Sequence, residues 1–130
     1  MSKAERMQTF QNFLHDEGYV PSLDEEGDIK FKCEGRTYFV ILDERDEEFF
    51  QLAFPNFWPI ESEEERAKVE NAAITATAQT KVAKVFPVRD NVWATIELFC
   101  SSIDHVKTVF HRSLRALQSA VDTFADEMRK

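Results

Sequence analysis

The order of patterned segments constrains the fold of this chain more than any single motif does. Segments with apolar residues three or four apart are typical of amphipathic helices, and segments with every second residue apolar are typical of strands. Along the 130 residues they predict the order α-β-β-β-α-β-β-α. We therefore expect an α+β single domain, residues 1–130, with an antiparallel sheet covered by helices.

The first half of the chain predicts one helix and three strands. A capping box at Ser2 and Glu5 starts the helix, which should end before Gly18. Strands are predicted at 28–33, 36–42 and 48–54, and residues 21–27 are predicted to be an acidic loop. The strand at 36–42 is apolar on both sides, which predicts a central strand covered on both faces, by helices or by another subunit.

The second half predicts a second helix, two strands and a long final helix. A capping-box pattern at Ser62 and Glu65 starts the alanine-rich second helix. Strands follow at 82–88 and 92–100, and Pro87 favours an edge or strand-end position because proline donates no ladder hydrogen bond. The final helix starts near Ser102, and its apolar stripe, Ile103 through Met128, is long enough to lie across a whole five-stranded sheet.

Charge and the absence of targeting signals narrow the choice of partners and compartment. The net charge is −8, and no basic stripe is present to neutralise phosphates, which argues against nucleic acid and against anionic membranes. The first 20 residues lack the apolar core of a secretory signal, and no apolar run reaches the ~20 residues that span a bilayer. We interpret Cys33 and Cys100 as buried free thiols. These features predict a cytoplasmic protein.

No catalytic, cofactor-binding or metal-binding constellation is predicted, so the protein is not expected to be an enzyme. All three glycines lie within the first 35 residues, which leaves no glycine-rich phosphate loop elsewhere in the chain. His105 and His111 are six residues apart, whereas helical metal pairs are four apart. Neither cysteine lies in the electropositive setting that activates a nucleophile. The acidic clusters are interpreted as solvated turns.

An aromatic segment between two prolines is the strongest candidate for a binding feature. Phe57 and Trp58 lie in the stretch Phe54–Pro59, and rigid aromatic side chains offer contact area at a low cost in entropy. The alternative is that both rings close the edge of the core. Phe39 and Ile41, on the second face of the strand at 36–42, complete the candidate partner-binding set.

The chain also resembles a known family. Glu17-Gly18-Tyr19, Gly27 to Phe31 and Tyr38 to Ile41 look like the first half of YbjN-like proteins, and Asn71 to Ile74 followed by Lys81 to Val85 look like their helix-to-strand junction. The resemblance covers nearly the whole chain and implies the fold of type III secretion chaperones. Those chaperones are small, acidic dimers that hold unfolded segments of other proteins, and YbjN-like proteins are described as bacterial sensory transduction regulators. Neither group supplies catalytic residues.

Two functions remain open at this point. The first is a non-enzymatic protein-binding module, chaperone-like or regulatory and homodimeric, with a protein partner of unknown identity and no cofactor. The second is a binder of a small anionic ligand, or a weak enzyme, with a pocket between the C-terminal helix and the sheet, where Arg36, Arg89 and Lys84 would hold the anion.

Overall fold

Three helices and six strands follow one another in the computed structural model, which describes residues 1–130. The helices are α1 (Lys3–Asp16), α2 (Glu63–Gln79) and α3 (Ile103–Met128). The strands are β1 (Ser22–Leu23), β2 (Ile29–Cys33), β3 (Arg36–Leu42), β4 (Phe49–Phe54), β5 (Ala83–Val88) and β6 (Asn91–Phe99). Except for β1, this is the predicted order, and each predicted strand is found within one residue of its expected bounds.

The strands form one antiparallel sheet in the order β1-β2-β3-β4-β6-β5. A two-residue turn joins β2 to β3, and both of its residues have positive φ, 52° at Glu34 and 81° at Gly35. Such turns match the twist of the strands that they connect. The predicted α+β class, with helices packed on an antiparallel sheet, is confirmed.

The prediction of five strands was wrong, because residues 22–23 form β1 within the stretch expected to be a loop. Ser22 pairs with Lys30 and Leu23 pairs with Ile29. The connection between them is fixed by Asp24, whose Oδ1 accepts hydrogen bonds from the N–H groups of Glu26 and Asp28. A two-residue strand is too short to show alternation, so no sequence pattern indicated it.

All three helices lie on the same face of the sheet. The buried core has 29 members, and its strand residues, such as Ile29, Val40 and Leu52, are those that register places on this face. Phe110 of α3 lies at its centre, 5.2 Å from the ring of Phe13. The apolar stripe of α3 therefore packs across the sheet as the sequence predicts.

Helix α2 covers the β5 edge of the sheet and packs against α3. Its buried residues include Ala72, Ala73 and Ala76, small side chains that permit the close helix packing predicted for this segment. The hydroxyl of Thr77 accepts a hydrogen bond from the Val85 N–H at 2.9 Å and lies 3.3 Å from the Val85 carbonyl oxygen, to which it donates. The predicted edge position of Pro87 is confirmed, because β5 is the last strand of the sheet.

The second face of β3 is not covered by any helix. Tyr38, Val40 and Leu42 point into the core, whereas Phe39 and Ile41 alternate with them and remain partly exposed. We expected helices or a second subunit to cover both faces of this strand. Within a single chain, helices cover only one of the two faces.

None of the three helices combines the length and the apolar character needed to cross a membrane.

Candidate functional site

The sheet surface that faces away from the helices, here called the open face, carries a concentration of large apolar side chains. The register between strands identifies these residues, because directly paired residues lie on the same face of a sheet. Phe39 pairs with Ala53, Ala53 pairs with Thr95, and Phe86 pairs with Trp93. Because successive side chains of a strand alternate between faces, the members of this surface follow from those pairs. The large apolar residues on the open face are Phe39, Ile41, Phe49, Phe86, Trp93 and Phe99.

The centre of the open face is tightly packed. Ala53 and Thr95, two neighbours across β4 and β6, are fully buried beneath the surrounding side chains although no helix covers them. Glu97 accepts hydrogen bonds from the Thr95 hydroxyl at 2.8 Å and from Lys84 Nζ at 2.9 Å. The face thus has a polar patch around Glu97 and an apolar region over β3, and further apolar side chains, Phe86, Trp93 and Phe99, lie on β5 and β6.

The apolar region forms one wall of a groove of about 460 Å³. Phe39, Ile41 and Trp93 line it from the sheet, and the acidic connection between β1 and β2, residues 24–28, forms the opposite wall. This wall carries Asp24, Glu25, Glu26 and Asp28, and Lys30 is the one cation that lines the groove, so a partner that enters meets apolar side chains beside net negative charge. Such a surface favours cations at its rim.

The carboxyl group of Asp28 lies in this acidic connection, and its pKa is raised. Burial raises its pKa from the ordinary value of 3.8, and the nearby charges of Asp24 and Glu26 also raise it, while the hydrogen bond from the Leu42 N–H and the charge of Lys3 oppose the rise. Just above pH 3.8 the folded chain therefore holds more protons at this site than the unfolded chain does.

We expect the Asp28 contribution to stability to fall as pH rises through the range between the unfolded and the folded pKa. Asp28→Asn removes that loss while keeping an oxygen that can accept from Leu42. The free energy of unfolding of Asp28→Asn, minus that of the unmodified chain, should therefore be larger at neutral pH than at about pH 3.5. Urea unfolding at each pH measures this difference. Glu25→Gln removes an exposed charge from the same loop and is the control. Equal pH dependence in Asp28→Asn and the unmodified chain would contradict this prediction.

The structure separates the four residues proposed for partner binding. Phe39 and Ile41 lie on the open face, whereas Phe57 and Trp58 lie on the helix side of the sheet. The Phe57 and Trp58 rings are 5.5 Å and 5.4 Å from the Phe124 ring of α3, both nearly perpendicular to it. Both residues are packed against the core, and this geometry favours the alternative in which the aromatic segment closes the edge of the core.

The cations proposed for an anionic ligand have different surroundings. Arg36 pairs with Asp122 of α3 at 3.0 Å, and Lys84 pairs with Glu97 on the open face. Arg89 occupies the β5–β6 turn with a φ of 54°. They do not form one site.

Four members of the open face were missed at the level of sequence: Phe49, Phe86, Trp93 and Phe99. Phe49 and Phe99 are register partners with ring centroids 6.1 Å apart, and Phe99 is 76% exposed. Alternation within each strand gives two sets of residues, but only the register between strands shows which sets share a face.

These features define a class of protein: an α+β domain with an antiparallel sheet that is covered by helices on one face and bears an aromatic surface on the other. No family model, curated protein or solved structure matches the chain. The resemblance to YbjN-like proteins therefore stays a prediction.

Proposed function

We propose that this protein is a non-enzymatic protein-binding module, chaperone-like or regulatory, that forms a homodimer through the open face. The observation that carries the proposal is that six large apolar residues share one sheet surface on which no helix packs. Contiguous exposed apolar surface on a folded domain marks interaction sites more often than isolated apolar residues do. The YbjN-like resemblance agrees with a binding role of this kind.

The open face carries charges of both signs, which fits a second copy of the chain as the occupant. The acidic residues 24–26 flank the open face on the β1 side, where Lys30 and Lys32 of β2 also lie on it, and Lys84, paired with Glu97, lies on the β5 side. In an isologous dimer the same surface of both chains forms the interface, and a two-fold axis relates the two copies. A two-fold axis parallel to the strands, near the middle of the sheet, brings residues 24–26 of one chain to the Lys84 side of the other, with the apolar residues between them.

The dimer proposal is tested with a matched pair of isoleucine-to-lysine variants. Ile41→Lys places a charge in the middle of the open face, and Ile74→Lys places the same charge on α2 at a side chain that is already 68% exposed. We expect the unmodified chain and Ile74→Lys to have about twice the 15.1 kDa chain mass by light scattering at micromolar concentration. Ile41→Lys should weaken association at least tenfold, since central interface residues carry most of the binding energy.

Two results would remove the dimer. One is a 15.1 kDa monomer for the unmodified chain throughout the micromolar range, and the other is a dimer that Ile41→Lys leaves intact. Thermal unfolding of both variants, compared at equal concentration, separates loss of association from loss of folding.

The state of the cysteines supports the cytoplasm as the compartment. Cys33 and Cys100 are free thiols; Cys100 is buried as expected, whereas Cys33 is only partly buried. Cys33 belongs to β2 and Cys100 follows β6, and the sheet order separates these strands by β3 and β4. Free thiols are typical of reducing compartments.

A further inference from the structure

A second cavity, of about 300 Å³, lies at the end of the sheet opposite the aromatic segment, between α1, β4 and the start of α3. Its size is at the lower end of the range for small-molecule sites, ~300–1,000 Å³. Most of the residues that line this cavity are apolar, and each element around the cavity contributes at least one buried residue. These buried residues include Phe10, Leu42, Phe50, Cys100 and Val106.

One charged side chain lines this apolar cavity without satisfying its hydrogen-bonding capacity. Arg6 is only 7% exposed. Its Nη2 donates to the carbonyl oxygen of Asp43 at 2.6 Å, but its Nε–H is buried and has no acceptor. A guanidinium group stays charged at all ordinary pH values, and a buried donor without a partner costs stability. An acceptor supplied from the cavity would satisfy it.

The start of α3 adds positive potential to the same cavity. Ser101, Ser102 and Ile103 line it, and the Ser102 hydroxyl caps the helix by accepting from the His105 N–H. The Ile103 N–H makes no hydrogen bond within the protein. Because aligned peptide dipoles give a helix a positive N-terminal end, this end of a 26-residue helix favours an anion.

Acidic side chains restrict where an anion can sit in the cavity. Glu47 and Glu48 also line it, and both are exposed. The pKa of Glu47 is lowered by its hydrogen bond to the amino group of Met1, 2.7 Å away. Because Glu47 is paired with Met1 and Glu48 makes no ion pair, an anionic group is disfavoured beside Glu48 and favoured beside Arg6 and the helix end.

We propose that this cavity binds a small carboxylate with an apolar body. The carboxylate accepts from Arg6 and lies near the first turn of α3, and the apolar body packs against Phe10 and Phe50. A planar guanidinium matches the geometry of a carboxylate. The site shares no residue with the groove, and Phe49 is the one open-face residue that also lines this cavity.

Octanoate is the probe, used below its micelle concentration, with 1-octanol and octylammonium as partners of equal chain length. Calorimetry should show octanoate binding at least tenfold more tightly than 1-octanol. Glu48→Gln should raise the affinity for octanoate severalfold, lower that for octylammonium and leave that for 1-octanol unchanged. Arg6→Met should remove the advantage of octanoate over 1-octanol.

Amide chemical shifts locate the bound probe, and those of Phe50, Ile103 and Val106 should change most. The proposal is overturned if 1-octanol binds as tightly as octanoate, if octanoate does not bind, or if the shifts that change lie at the groove, around Phe39, Ile41 and Trp93. If Arg6→Met does not fold, Glu48→Gln still tests the site, because the Glu48 side chain makes no hydrogen bond in the protein and its replacement should not affect folding. An unchanged octanoate affinity in Glu48→Gln would contradict the site.

Discussion

Replacement of Phe110 by alanine is expected to lower the free energy of unfolding by about 3–5 kcal/mol, the range found for large aromatic truncations in buried cores. Phe110 is fully buried. Its ring lies 5.9 Å from that of Phe31 and 6.3 Å from those of Tyr19 and Phe50, in addition to its contact with Phe13. One truncation therefore removes contacts that join α3 to α1 and to two strands of the sheet.

Urea unfolding followed by circular dichroism measures this loss, and Phe99→Ala is the matched control. Phe99 is 76% exposed, so its truncation should change stability by no more than about 0.5 kcal/mol. Both variants are compared at low protein concentration, where association through the open face adds little to apparent stability. Similar losses in the two variants would contradict the central position of Phe110 in the core.

Trp58→Ala is expected to cost about 2–4 kcal/mol, somewhat less than a fully buried tryptophan would, because its ring is partly exposed. The reason is its packing against Phe124, which is fully buried in α3. For a chain of this size the melting temperature should fall by roughly 10 °C, as measured by differential scanning calorimetry.

The matched control for Trp58 is Trp93→Ala on the open face. Trp93 has similar exposure but packs on no helix, and its Nε1 donates to Asn56 Oδ1 at 3.0 Å. Its loss should cost only about 1 kcal/mol. If Trp58→Ala melted like the unmodified chain yet lost a binding partner, the aromatic segment would be a binding site and the placement of Trp58 in the core would be wrong.

Local patterning determined most of the fold. The stripe from Ile103 to Met128 and the two serine caps that start α2 and α3 are short-range features, so the helices were predictable without knowledge of their neighbours. The face on which each strand packs is a long-range property. Phe39 and Trp93 share a surface only because β4 lies between β3 and β6, and no local pattern contains that order.

The candidate sites divide in the same way. Phe39 and Ile41 were found because β3 is apolar on both sides, whereas Arg6 was missed although a signal existed. Arg6 precedes Phe10 by four residues and Phe13 by seven, which places a cation on the buried face of α1. A charged residue at that helical spacing from core residues indicates a buried polar feature even before the fold is known.

The hydrogen bonds between Thr77 and Val85 limit how this protein can assemble. In an antiparallel strand the N–H and C=O of a residue point to the same side, so Val85 and Pro87 direct their backbone groups toward the outer edge of β5. Thr77 occupies those of Val85, and Pro87 has no N–H to offer. Polymerisation by strand pairing needs two free sheet edges on every molecule. With the β5 edge blocked at these two positions, pairing at the β1 edge joins two molecules and then stops, which disfavours propagation of the sheet into a filament.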